Sequence, residues 1–303
     1  MGAGHSHGAP AGHPGARHRW RLTAAFVLVA SFFLVELVVA LTSGSLALLS
    51  DAGHMAADVV ALGAALLATR IATRRDHTGR RTYGSYRAEI FASGFTVLLM
   101  LGTSVYVVIE AFSRLGEDVS VEARPMLVIG AIGLVVNVVA LLLLRGGAGE
   151  SLNVRGAYLE VVADTAGSVG VLLAGWLVAA TGRTYWDTIV ALAIGAFVAA
   201  RAIVLGRQVL AVLAQHVPAD LDIDEVTRDL TAVEGVCDVH DLHLWTLTSG
   251  MHVATAHLVA TESGDVAGIL EGARQVLRDD HGVVHATLQV EPASSRSCHE
   301  LDW

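Results

Sequence analysis

His54 and Asp58 stand four residues apart in "LLSDAGHMAADVV", and Glu160 and Asp164 repeat that spacing in "AYLEVVADTAG". Both stretches are otherwise made mostly of Val, Leu, Ala and Gly. An i, i+4 spacing puts both members of a pair on one helical face, about 6 Å apart. A carboxylate near a bilayer centre costs about 2.5–3.5 kcal/mol on insertion scales, so two close together need a reason. At a rise of about 1.5 Å per residue, both pairs fall in the middle portion of an apolar span. Two such helices brought face to face would offer one imidazole and three carboxylates. That is the ligand count of a tetrahedral divalent metal.

A single polar residue in a transmembrane helix often only hydrogen-bonds to a neighbouring helix. Four ionisable groups in two same-spaced pairs are harder to explain that way, because without a cation they repel and desolvate one another. Asp51, one turn before His54, is either an acceptor for the imidazole or a group nearer the outer mouth. Asn137 reads as a helix–helix hydrogen bond rather than a ligand.

A second set of donors lies near the C-terminus: His240, His243, His257, His281 and His285. In "VHDLHLW", strand alternation puts Val239, Asp241, His243 and Trp245 on one face and His240, Leu242 and Leu244 on the other. Any one of these histidines could be an ordinary surface residue; the set favours a metal site. Cys298 and His299 could add ligands from the short tail. His5, His7, His13 and His18 in the polar leader suit weak metal capture or an inert tail equally well.

The elements that must position these groups follow from composition. The chain is 53% hydrophobic and 16% charged, against about 25% charged in soluble domains, which points to a membrane. Apolar windows of about 20 residues, long enough for helices crossing a ~30 Å core, occur at roughly 22–42, 46–69, 90–112, 125–144, 157–179 and 186–206. Six spans put both termini on one side. Thirteen arginines flank the spans on that side, and only Arg114, Arg124 and Arg183 lie on the other. The positive-inside rule then makes both termini cytoplasmic.

Charge also divides the chain. Residues 1–208 hold 16 Arg against 13 Asp and Glu, and residues 209–303 hold 4 against 16. A net −12 on the C-terminal portion argues against nucleic acid and for cationic partners. "DIDEVTRDLTAV" has helical spacing with Asp222 or Asp224 as N-cap. "VCDVHDLHLWTLT" and "MHVATAHLVA" alternate like strands joined at "SG", "DVAGILEGARQVLRDD" is helical, and "VVHATLQVEP" is a third strand. The order α-β-β-α-β suggests a two-layer α+β domain of ferredoxin-like type. The expected layout is a His-containing tail over 1–20, a six-helix transmembrane domain over 21–208, a cytosolic domain over 209–292 and a tail over 293–303.

Four stretches in this order, "SLALLSDAGHMAADVVAL", "RRTYGSYRAEIFASG", "NVRGAYLEVVADTAGSVGV" and "VHDLHLWTLTSG", resemble the cation diffusion facilitator family. The resemblance runs from about residue 20 to 292. It implies a zinc-exporting transporter of six spans with a cytosolic metallochaperone-like domain, working as a homodimer that exchanges metal for protons. It carries His54, Asp58 and Asp164 over as transport ligands, and His240, His257 and His285 as a regulatory zinc site. Zinc members usually show His-x-x-x-Asp in both spans, so Glu160 fills a ligand position with a different group. An oxygen-rich site leaves room for cobalt, cadmium, manganese or iron beside zinc.

The expected function is proton-coupled efflux of divalent cations, zinc first, from the cytoplasm. Short loops and compact length suggest a bacterial plasma membrane. No GxxxxGK[ST] motif is present, so neither a nucleotide nor ATP coupling is expected. A membrane metalloenzyme would need an open metal position and a general base, as in HExxH, which does not occur here. A metal sensor with anchoring spans would not need ionisable groups at mid-membrane.

Overall fold

The computed structural model describes residues 19–72, 82–83, 87–114, 121–145, 152–248, 250–262 and 264–293. His5, His7, His13, His18, Cys298 and His299 lie outside these residues. The chain forms two compact units, one of residues 1–82 and 91–206, the other of residues 83–90 and 207–303.

The first unit is built from helices α1 (Arg19–Ser43), α2 (Leu46–Ala72), α4 (Ala123–Arg145) and α5 (Leu152–Thr181) and from all but the first three residues of α3 (Ala88–Ser113) and the last seven of α6 (Tyr185–Leu213). Five stretches among the described residues are long and apolar enough to cross a membrane: Thr23–Ser43, Ile90–Ser113, Ala123–Arg145, Glu160–Thr181 and Tyr185–Leu213. The expected second span is a helix of 27 residues, α2, but it is not among those five, and its side chains are described only in part beyond Val60. Among the described residues, six helices stand where six spans were expected, and five of them meet the length and apolarity of a span.

The start of α2 is fixed by a buried carboxylate from another helix. The first N–H groups of any helix lack intrahelical acceptors. Here Leu46 N–H donates to Asp187 Oδ2 at 2.6 Å, and Ala47 N–H and the Ser45 hydroxyl donate to Asp187 Oδ1 at 3.2 and 2.6 Å. Asp187, in the first turn of α6, is fully buried. Arg114 compensates its charge from 3.7 Å and donates to the Gly44 carbonyl at 2.8 Å. This clamp sets the depth of His54 and Asp58, which follow Leu46 by about 12 and 18 Å along the helix.

Close approaches then set which faces meet. A Cβ on Gly53 would stand 2.1 Å from Thr103 Cγ2, so α2 and α3 touch where only glycine fits. A Cβ on Gly167 would stand 2.4 Å from Asp51 Oδ1, so α5 lies against α2 at the level of the acidic residues. Asn137 of α4 donates to Ser168 Oγ of α5 at 3.2 Å, the helix–helix bond its position suggested. Leu46, Leu48, Met55, Val107, Met126 and Val171 form the apolar interior around these contacts.

The second unit contains α7 (Ile223–Thr231), β1 (Val236–Thr248), β2 (Met251–Ala260), α8 (Val266–Asp279) and β3 (His285–Pro292), the expected α-β-β-α-β order. Asp222 is the N-cap of α7, its Oδ1 accepting from Asp224 and Glu225 N–H at 2.8 and 3.4 Å. Asp265 caps α8 in the same way. β1 and β2 run antiparallel through a turn at Gly250, whose φ of 71° suits glycine. β3 pairs parallel to β2 after the α8 crossover, so the sheet has three strands in the order β1-β2-β3. Both helices pack their apolar stripes, Val226 and Leu230 on one and Ile269, Ala273 and Leu277 on the other, with Leu244, Ala256 and Leu258 of the sheet.

Candidate metal centres

The first centre joins α2 to α5. His54, Asp58 and Asp164 each present a ligand atom such that the three atoms lie within 4.8 Å of one another. His54 Nδ1 is 3.5 Å from Asp58 Oδ2, and His54 Nε2 is 3.4 Å from Asp164 Oδ1. The i, i+4 spacing supplies the first contact and the α2–α5 packing the second. All three residues are buried, with His54 only 1% exposed. His54 Nδ1, Asp58 Oδ2 and Asp164 Oδ1 have no hydrogen-bond partner among the described residues. Leaving such atoms unsatisfied costs about 1–3 kcal/mol each, and more when charged, a cost that a cation held among them would offset.

Glu160 does not join this group. Its Oε2 is paired with Arg201 Nη2 of α6. Arg201 Nη1 also reaches His54 Nε2 at 2.9 Å. Four expected ligands thus resolve into three that converge and a fourth that holds a guanidinium at the edge of the cluster. Asp51 lies against Gly167 and the carboxyl of Glu36 from α1. Glu36 and Asp51 are both buried, at 1% and 2% exposure.

The second centre lies on the sheet of the second unit. His240 and His257 are direct cross-strand partners on β1 and β2, and their rings meet edge-on at 5.3 Å. Glu291, near the end of β3, is 3.1 Å from His257 Nδ1 through Oε1 and 3.6 Å from His240 Nε2 through Oε2. Their ligand atoms also fall within 4.8 Å of one another. A register break between His240 and His243, with Asp241 at φ 52°, carries the Asp241 carboxylate to 3.8 Å from His257 Nε2. Gln289 Nε2 donates to Glu291 Oε1 at 2.8 Å and orients it.

His285 stands elsewhere. It opposes Val253 at the start of β3, while His257 opposes Gln289. Four residues of strand separate the two positions, about 13 Å. The His285 ring instead meets Tyr83 edge-on at 5.6 Å. His243 pairs with Asp241 and His281 with Asp229, both at 2.9 Å. Of the expected trio, His240 and His257 converge, with Glu291 beside them, and His285 does not join them.

Residues 22–214 match the cation efflux transmembrane domain, and residues 218–293 match the cation efflux protein cytoplasmic domain. The chain belongs to the cation efflux family. Among its relatives is the metal cation efflux system protein CzcD of Cupriavidus metallidurans, 40% identical over all of this chain and 93% of that protein. The zinc transporter ZitB of Escherichia coli is 35% identical over 97% of this chain and 95% of its own length. A cadmium, cobalt and zinc/H(+)-K(+) antiporter of Bacillus velezensis is 31% identical over 96% of this chain and 93% of its own length.

Two residues of this cation efflux protein's centres escape sequence reasoning. Arg201 sits in a window that otherwise reads as membrane, where a lone arginine counts as a terminal charge of the span. Its contacts with His54 and Glu160 are what show that it faces inward. Glu291 is one acid among sixteen in the acidic portion. Its signal is burial, which alternation along β3 alone does not give, since Gln289 shares its face.

Proposed function

We propose that this protein carries divalent metal ions, zinc foremost, out of the cytoplasm in exchange for protons, with His54, Asp58 and Asp164 as the transport ligands. The observation that carries the proposal is the convergence of a buried imidazole with two buried, unsatisfied carboxylate oxygens from two helices. One imidazole and two carboxylates suit zinc, and the oxygen-rich set leaves room for cobalt or cadmium. Relatives named as efflux, zinc transport and cation/proton antiport proteins support the same direction of transport and the same cargo.

In this account the ligands bind metal only when deprotonated, so loading releases protons and protonation from the far side releases metal. The inward proton gradient supplies the drive. All six helices cross the membrane, α2 included, and both termini are cytoplasmic. The acidic second unit is a ferredoxin-like cytosolic domain that pairs two copies of the chain. A zinc ion at His240, His257 and Glu291 relieves carboxylate repulsion between copies and tightens the pair. The membrane is a bacterial plasma membrane, in keeping with the bacterial relatives.

The test is zinc flux into sealed inside-out vesicles. An acid-inside pH gradient is expected to drive zinc uptake that collapses with a protonophore. Uptake that ignores the gradient would remove the proton coupling, and no uptake at all would remove the transport reading.

A further inference from the structure

We propose that Arg201 is a tethered cation that occupies the intramembrane centre in the metal-free protein and must leave His54 before a metal can bind there. The inference rests on the transport reading above and deepens it.

A neutral imidazole has one acceptor nitrogen, and a guanidinium is a donor only. Arg201 Nη1 lies 2.9 Å from His54 Nε2, so Nε2 is the acceptor and the ring proton sits on Nδ1, toward Asp58 Oδ2. The lone pair that faces Asp164 at 3.4 Å, the one a metal between α2 and α5 would use, is then committed to the guanidinium. A metal and Arg201 therefore exclude each other at His54 Nε2.

Charge makes the same point. The guanidinium keeps its charge at every accessible pH. With Glu160, Asp58 and Asp164 deprotonated, the centre would hold three negative charges in a poorly solvated interior. Arg201 offsets one of them, the amount by which a glutamate at position 160 exceeds a histidine. The Glu160 carboxylate anchors it from one side and the Phe197 ring lies under it from another, so the guanidinium has a built seat. The Glu160 and Arg201 side chains are 42% and 25% exposed, so the pair has room to move away from the buried triad.

The consequence is that the empty centre carries one negative charge fewer and that metal affinity is held down by competition. The expected effect follows from occupancy: if Arg201 holds His54 in all but about 10% of molecules, its removal tightens zinc binding about tenfold.

The test is a zinc titration of the purified full-length protein in a His240→Ala, His257→Ala background, so that the centre of the second unit does not respond. Arg201→Met is expected to bind zinc about tenfold more tightly, and Arg201→Lys more weakly than Arg201→Met. Equal or weaker binding by Arg201→Met would overturn the proposal. Loss of a positive charge could by itself tighten binding, and Arg201→Met could fail to fold. A structure of the wild type with zinc bound decides in either case. The guanidinium is expected beyond hydrogen-bonding distance of His54 Nε2, with zinc on that nitrogen. A guanidinium still on Nε2, or zinc absent from His54, would overturn it. Neither measurement requires transport, so a protein that binds zinc in this way yet moves none across a vesicle would sink the export reading and leave this inference standing.

Discussion

The two centres use nearly the same donors, histidine and carboxylate, and place them by opposite means. In the membrane unit an i, i+4 pair on α2 meets one residue of α5, so the site exists only while two helices stay packed. In the second unit His240 and His257 are locked by strand pairing and Glu291 by the neighbouring parallel strand. The first is therefore as movable as a helix interface, and the second as fixed as a sheet. The first is also ringed by further ionisable groups, the buried Glu36 and Asp51 and the partly buried Arg201, while the second is half-open, with its histidines partly exposed. A site that must take up and release an ion from opposite sides needs the first construction. A site that only senses metal is served by the second.

The largest difference is expected in transport. Asp58→Ala and Asp164→Ala each remove a proposed ligand from the buried triad. Since removing even an outer partner of a metal ligand costs about 10–100-fold, each should lower zinc flux at least about 100-fold without preventing insertion. Glu291→Ala should leave flux within a few fold of wild type. Equal losses from both centres, measured in the same vesicles, would erase the distinction.

The converse difference is expected in the stability of the second unit. Zinc at about 100 times its Kd should stabilise a domain that binds it only when folded by about 2.7 kcal/mol. At about 4–8 °C per kcal/mol for a domain of this size, the melting temperature of residues 209–303 should rise by about 10–20 °C. Glu291→Ala or His257→Ala should remove most of that rise and His285→Ala almost none. A rise that depends on His285 and not on Glu291 would restore the all-histidine site.

How much of this was legible follows from what period and composition encode. The helices, the strand order and the α2 and α5 pairs are local patterns, and residues such as His54 and Asp58 announce themselves by spacing alone. Glu291 and Arg201 do not, because each becomes part of a centre only through packing with another element. Glu160 shows the limit most clearly. Its spacing to Asp164 is that of a ligand pair, but a third helix supplies a cation that claims it. His285 fails for a related reason: its residue type fits, but strand register places it too far along β3.

Capping offers a smaller contrast between the units. Asp187→Ala orphans three buried donors at the start of α2 and strands Arg114, and should cost about 3 kcal/mol at the upper end for unsatisfied buried groups. Asp222→Ala removes an exposed cap from α7 and should cost about 1 kcal/mol. Thermal melts of the full chain in detergent measure both, and a larger loss at Asp222 would contradict the clamp. The smallest effect is Asn137→Ala, about 0.6 kcal/mol for one interhelical hydrogen bond within a membrane. A loss of several kcal/mol there would give Asn137 a larger role than helix packing.

The most direct test of the central claim, that the buried triad is where the cargo sits, is an anomalous-scattering map recorded at the zinc edge. The account predicts a peak between α2 and α5, about 2.0–2.2 Å from a His54 nitrogen and from an oxygen of both Asp58 and Asp164. A map with zinc at His240, His257 and Glu291 but none at His54 under saturating metal would contradict it.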